Sequence, residues 1–502
     1  MFAKIRSAAT QTLVYSIGNL AAKLTGFILL PLYTSHLSIA EYGTLGLLET
    51  LGQFLAATLA ISLPTALLRW ISTEKDENKR KSIVFTTLIS LFTILVLFNS
   101  IAIPLRNYFS LLLFERTDFG LYISLLFLSM SFDVLNLVVL NLIRFHEKPG
   151  LYIIINTVKL ALILGLNIYF IAGLGMGVEG VILGQLIGSV ALNVISMVFL
   201  FRNMLPRFNR TAFKEMIRYG FPLIFTNVSA LILALGDRFI IEEFLGLDDL
   251  GLYTMGYRIA GFINVFILQS FQLGFLPIAY KMFEEKDARR FFSKVLTYFV
   301  LLLLIAALFL SLFAREAIML FSPNNHSYWA AYAVVPLISL SFVFKGMQYY
   351  FSLGLHYAKQ TGYNAMIVMV SAVVSLGLNF LLIPRIGIIG SAISINIATI
   401  VMMVLYYHYS QKFYKISFEI KRMGMLFLIS GVLFFIAMII PEMGFWLGII
   451  VKLILFSTFP VLLWFSGFLE TDEKKRLSLF WLQWRNPVHW ASNFRELINR
   501  KS

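Results

Sequence analysis

The chain has 502 residues, with 41 Lys and Arg against 26 Asp and Glu and a net charge of +15, yet only 13% of it is charged, 59% is hydrophobic and 48 residues are Phe. So few charges could not cover the surface of a water-soluble globule, which excludes a soluble enzyme or binding module and leaves an all-α integral membrane protein. The absence of cysteine excludes disulfides, thiolate metal sites and cysteine nucleophiles.

Uncharged runs such as 82–105, 295–314 and 423–441 reach or approach the roughly 20 residues that a helix needs to cross about 30 Å of hydrocarbon, and they are too long for barrel strands. The first apolar segment, about 11–35, carries Lys23 in its middle and lacks a small-residue cleavage site, so it reads as span 1 and not as a removed leader. Spans 2 to 6 follow near 43–69, 82–105, 120–144, 151–172 and 178–200. Spans 7 to 12 lie near 215–241, 250–279, 294–315, 330–355, 362–384 and 387–408, and a last pair, spans 13 and 14, near 423–441 and 444–467. The expected total is about 14 transmembrane helices. Pro64 and Pro277 are expected to kink spans 2 and 8. Beyond Glu470, bases such as Lys474, Lys475 and Arg476 alternate with Leu477, Trp481 and Trp484, a pattern suited to a helix lying in the membrane interface.

Spans 7 to 12 repeat spans 1 to 6. Glu74-Lys75-Asp76, Ser82 and Thr86 return as Glu285-Lys286-Asp287, Ser293 and Thr297. Asn19, Leu37, Glu41 and Gly43 return as Asn227, Leu245, Asp249 and Gly251; Leu166-Asn167 matches Leu378-Asn379, and Gly177 and Gly180 match Gly387 and Gly390. Each repeat holds an even number of crossings, so the two are parallel, related by an axis along the membrane normal, as transporters built from duplicated halves are. The expected parts are an N-lobe over 1–201, a C-lobe over 202–411, spans 13 and 14 within 412–469, and a basic tail over 470–502. Lysines and arginines gather at the amino end, in the loops after even-numbered spans and in the tail, including Lys79-Arg80-Lys81, Arg289-Arg290 and Lys421-Arg422. The positive-inside rule therefore puts both termini in the cytoplasm. The net charge is a topology signal plus affinity for anionic membrane lipids, with no nucleic-acid partner implied.

Function is sought in charges that cannot easily reach water, since an ionisable side chain at mid-span costs on the order of 3 kcal/mol. Lys23 on span 1, Arg258 on span 8 and Lys345 on span 10 are the candidate cavity cations; Asp133 on span 4 and Glu49 on span 2 are candidates for ion coupling. The competing readings are structural. Lys23 and Arg258 could snorkel to headgroups, Lys345 and Asp133 could neutralise each other, and Lys159 and Lys452 read more readily as snorkelling. Asp237-Arg238, at the end of span 7, reads as a surface pair. No catalytic triad, metal-ligand cluster or nucleotide motif is present, so neither an enzyme nor a cofactor is expected.

The run LGLNFLLIPRIGIIGSAIS at 376–394, together with LPLYT at 30–34 and EYG at 41–43, resembles the polysaccharide flippases, the Wzx-type exporters of lipid-linked oligosaccharide within the MOP superfamily. The resemblance covers roughly 1–470. It implies two six-helix lobes around a central cavity in the cell inner membrane that opens to each side in turn. The cargo it implies is a polyprenyl-diphosphate-linked oligosaccharide for cell-surface polysaccharide such as lipopolysaccharide, with polysaccharide assembly proteins as partners. The 14-span layout is also similar to lipid II flippases, whose cavity arginines on helices 1 and 8 bind the pyrophosphate. Lys23 and Arg258 stand on those helices here, although a lone lysine on span 1 speaks against lipid II itself. A multidrug exporter of the MATE type is the main alternative, and a membrane glycosyltransferase or polymerase a further one.

Overall fold

The computed structural model describes residues 26–475, apart from 284, 442–443 and 472 and the side chains of 277 and 361. Among the described residues all regular structure is helical, because in hydrocarbon every backbone N–H and C=O must be satisfied within its own segment or in a closed barrel. Twelve of these helices are long and apolar enough to cross a bilayer, and Ile39–Leu59 with Leu63–Thr73 forms a thirteenth if the bent pair is one span. Lys23, Asn19 and most of span 1 lie outside the described residues, as does the tail beyond residue 475.

Span 2 breaks by 42° at the turn before Pro64. Pro64 has no N–H to give the Ala60 carbonyl, and the Leu63 amide takes that oxygen at 2.8 Å. The turn puts Ile61 and Ser62 in the left-handed region, at φ 47° and 51°, strained for a β-branched side chain. Span 7 receives this elbow. A Cβ on Gly220 would stand 2.2 Å from the Ile61 carbonyl oxygen, and Asn227 donates to the Ser62 hydroxyl at 3.2 Å. The Pro277 side chain lies outside the described set.

The duplicated positions do the same work twice. At the end of the bundle opposite the basic loops, a Cβ on Gly43 would sit 2.1 Å from the Leu247 carbonyl oxygen, and one on Gly251 2.2 Å from that of Ile39. Ile39 and Leu247 are themselves repeat equivalents, so spans 2 and 8 cross backbone to backbone in a reciprocal contact that only glycine permits. At the basic end, Ser82 donates to the Arg207 carbonyl at 2.7 Å and Thr86 accepts from the Asn209 amide at 2.8 Å. In the second half, Ser293 donates to the Ser417 carbonyl at 2.7 Å and Thr297 to Glu419 at 2.8 Å. Each pair ties the third helix of its repeat to the chain that follows the sixth. Gly177 and Gly387 both take positive φ, 59° and 65°, and turn the chain back so that Gly180 and Gly390 press against the preceding span.

Spans 13 and 14, Ile420–Ile439 and Phe445–Phe465, lie against span 9, with Phe309 and Phe456 rings 5.5 Å apart. Their far faces carry exposed Leu428, Phe435, Ile439 and Phe465, the lipid-facing surface that a membrane protein needs. At the basic end Arg422 joins Glu473 at 2.8 Å and Glu419 at 2.9 Å, and Lys294 reaches Glu470 at 2.9 Å.

Candidate functional site: paired charges in two adjoining cavities

Two cavities meet in the interior. The first, about 500 Å³, is walled by spans 2, 4, 5 and 6 and closed on its far side by Arg258 of span 8. The second, about 220 Å³, lies between spans 2, 7 and 8. Glu49, Gln53 and Arg258 line both, so this cluster is the partition between them. Glu49 and Gln53 are one helical turn apart and face the same way; they lie about 9 Å and about 15 Å along the helix from Gly43.

Arg258 donates from Nη2 to Glu49 Oε2 at 2.9 Å and lies 5.4 Å from the centre of the Tyr42 ring. Asp133 accepts from Lys159 Nζ and from the Ser189 hydroxyl, each at 2.6 Å, deep in the first cavity. Tyr33 donates to Asn167 at 3.1 Å and completes that wall. The cations on the cavity surface are thus matched by carboxylates, the arrangement that lowers the cost of charge in a low dielectric.

Lys345 stands apart. It sits 5.8 Å from the Phe342 ring centre, has no ion pair among the described residues, and does not neutralise Asp133, whose partner is Lys159. Lys159, expected to snorkel, turns inward. Asp237-Arg238, expected on the surface, is buried, with side chains 5% and 6% exposed. Arg238 pairs with Asp237 at 3.0 Å and stacks on Tyr257 at 4.5 Å, while Tyr253 and Ser391 also donate to the same carboxylate. Arg238 lines the second cavity. The polar residues Asn156 and Lys159, three positions apart on one helix face, were the signal that could have found Lys159. Among the described residues no group of three His, Asp or Glu could hold a metal ion.

The bundle of apolar helices thus encloses ion pairs that face two internal cavities, one within the first half and one where spans 2, 7 and 8 meet. Its fold is that of the MOP superfamily. The structure aligns with the lipid II flippase MurJ in an inward closed conformation at a TM-score of 0.73, 15% identity, covering 90% of this chain and 99% of that one. It aligns with an inward-facing multidrug resistance MATE family transporter at 0.65 and 18% identity, covering 83% and 98%. In sequence it is 19% identical over 362 residues, 70% of this chain and 85% of the relative, to a Shigella flexneri protein named for O-antigen transport. The polysaccharide biosynthesis protein family model matches residues 8–283, and the chain belongs to that family. Its fold is the one that those solved transporters have.

Proposed function

We propose that the protein carries a polyprenyl-diphosphate-linked oligosaccharide from the inner to the outer leaflet of the cytoplasmic membrane by alternating access, as an exporter and not an enzyme. The lobes that rock are 1–201 and 202–411, with both termini cytoplasmic, and the lipid tail stays in the bilayer while the head crosses. The observation that carries this reading is the Glu49–Arg258 pair, which joins span 2 to span 8 and faces both cavities.

An unoccupied guanidinium at that depth would be costly. Glu49 holds Arg258 in the empty carrier, and a diphosphate takes its place by offering bidentate, charge-assisted hydrogen bonds. Lys23 is proposed to complete the anion site and Lys345 to act on the later path of the head. Glu49, once released, and Asp133, held by Lys159 and Ser189, are the groups proposed for ion coupling. An exporter of organic cations would want a carboxylate left open to its cargo; here both cavity carboxylates are held by cations of the same chain.

Arg258→Ala combined with Lys23→Ala tests the anion site in cells that depend on this protein for surface polysaccharide. Surface polysaccharide is expected to fall by at least about tenfold, the scale of a lost charge-assisted contact. Full export in the double variant removes these residues from that role.

A further inference from the structure

The smaller of the two central cavities, about 220 Å³, has a wall that its ion pairs do not explain. Span 8 presents Arg258, Gly261 and Asn264 to it, three residues apart in turn and so on one helix face. A Cβ on Gly261 would meet nothing within 4 Å, so packing does not demand glycine there, although glycine inside a helix costs stability relative to alanine. What its missing side chain leaves is room. Immediately afterwards the helix widens into the π-helical turn Ile263–Leu268, a distortion found frequently at functional sites, and Asn264 belongs to that turn.

Across from Asn264, span 2 presents Gln53. Neither amide hydrogen-bonds to another described residue, and neither is enclosed, Gln53 being exposed and Asn264 half-buried. A side-chain amide offers donors and an acceptor together. Sugar hydroxyls satisfy both kinds, whereas an anion uses donors alone and a cation acceptors alone. The charges of this wall are already matched, Arg258 by Glu49 at 2.9 Å and Arg238 by Asp237 at 3.0 Å. A diphosphate that takes Arg258 leaves the Glu49 carboxylate facing the cavity, where it would repel an acidic sugar. Phe27, Tyr257 and Phe342 add apolar ring surface, the usual make-up of a small-molecule site with a few orienting polar groups.

Distance and volume set the size of the occupant. Asn264 lies about 9 Å along span 8 from Arg258, and Gln53 about 6 Å along span 2 from Glu49, both away from the Gly43–Gly251 end. The 220 Å³ is about seven waters' share of liquid volume, space for one sugar ring and not for a chain of them. We infer, on the reading that a diphosphate binds at Arg258, that this cavity seats the single neutral pyranose attached to that diphosphate. Asn264 and Gln53 exchange hydrogen bonds with its hydroxyl or acetamido groups, and Gly261 makes space for the ring. The carrier thereby selects its cargo at the sugar nearest the lipid.

The full-length protein in detergent is titrated with polyprenyl diphosphate alone and with the same lipid bearing glucose, galactose, N-acetylglucosamine or glucuronic acid, and binding is followed by thermophoresis. The wild type is expected to bind at least one of the three neutral conjugates about tenfold more tightly than the bare lipid, and the glucuronic acid conjugate no more tightly than the bare lipid. Asn264→Leu removes the amide at equal volume and Gly261→Met fills the space. Each should bring the preferred conjugate to parity with the bare lipid and leave bare-lipid affinity unchanged, while Leu273→Ala, farther along span 8 and outside the cavity, should keep the preference. Neutral conjugates that bind the wild type no better than the bare lipid, tightest binding of the glucuronic acid conjugate, or a preference that survives in either variant once folded overturns the sugar site. Failure of the diphosphate reading shows separately, as a bare lipid that does not bind the wild type or binds Arg258→Ala equally well, and it removes the sugar site with it.

Discussion

Glu49 and Arg258 are 209 positions apart in sequence, and no rule of helical spacing joins them, because i,i+4 reasoning reaches only along one helix. Their depth could be read from the run of apolar residues around each; their partnership could not. Burial ranks the three interior pairs. Asp237 and Arg238 are almost wholly enclosed, Glu49 and Arg258 partly so, and Lys159 and Asp133 open to the cavity with side chains 24% and 46% exposed. Removing one partner of an enclosed pair strands a charge, at roughly 3–5 kcal/mol, whereas a solvated pair is worth about 1 kcal/mol or less. Asp237→Asn is therefore expected to lower thermal stability severely and Asp133→Asn only slightly, as followed by unfolding in detergent. Equal losses would contradict this ranking. Asp237-Arg238 misled the sequence reading because adjacent residues on a helix point apart, as surface charges commonly do, and the donors that make the network, Tyr253 and Ser391, come from other spans.

At the level of elements, the duplication was the most legible feature, and its physical meaning emerges only in three dimensions. Gly43 and Gly251 recur because two backbones touch there reciprocally, and Ser82, Thr86, Ser293 and Thr297 because each half ties its third helix to the chain after its sixth. Gly43→Leu is expected to hold spans 2 and 8 apart. The native chain has no cysteine, so a single Gln53→Cys reports the result directly: thiol labelling from the Gly43–Gly251 end should rise several-fold when Gly43→Leu is added, and unchanged labelling would deny that this crossing closes the bundle.

The segment after span 14 is held by charge instead. Burial pushes the Glu473 carboxyl up, but the Tyr298 hydroxyl, the Glu470 amide and Arg422 together outweigh it and hold its pKa below the usual carboxylate value. A depressed folded-state value contributes stability that is present above the unfolded pKa, about 4.3, and is lost as pH falls through the folded one. The difference in melting temperature between wild type and Glu473→Gln should accordingly be constant near neutrality, begin to shrink as pH approaches about 4.3, and vanish only once pH is below the folded-state value. A difference that persists into stronger acid would mean that packing, and not the carboxylate, holds this segment.

For the molecule as a whole, composition alone placed the chain in the membrane, and hydropathy placed the described spans within a few residues, because a bilayer leaves a helix few alternatives. The cavities were not legible. A cavity is the space left by many helices at once, and its lining depends on the rotation of each helix about its axis, which a uniformly apolar span does not encode; hence Lys159 faces inward where a snorkelling reading turned it outward. The reciprocal crossing at one end, the span 2 elbow seated on span 7, and the ion-pair partition between the cavities are the contacts that the proposed alternating access would have to break.

The most direct measurement places the purified protein in vesicles that contain a polyprenyl-diphosphate oligosaccharide with a fluorescent sugar, and quenches the label from outside over time. The account predicts that label reaches the far leaflet in wild-type vesicles well above protein-free ones, and that Arg258→Ala returns the rate to the protein-free level. Vesicles in which the labelled head stays in its leaflet at the protein-free rate, with folded wild-type protein present and an ion gradient imposed in either direction, would contradict it.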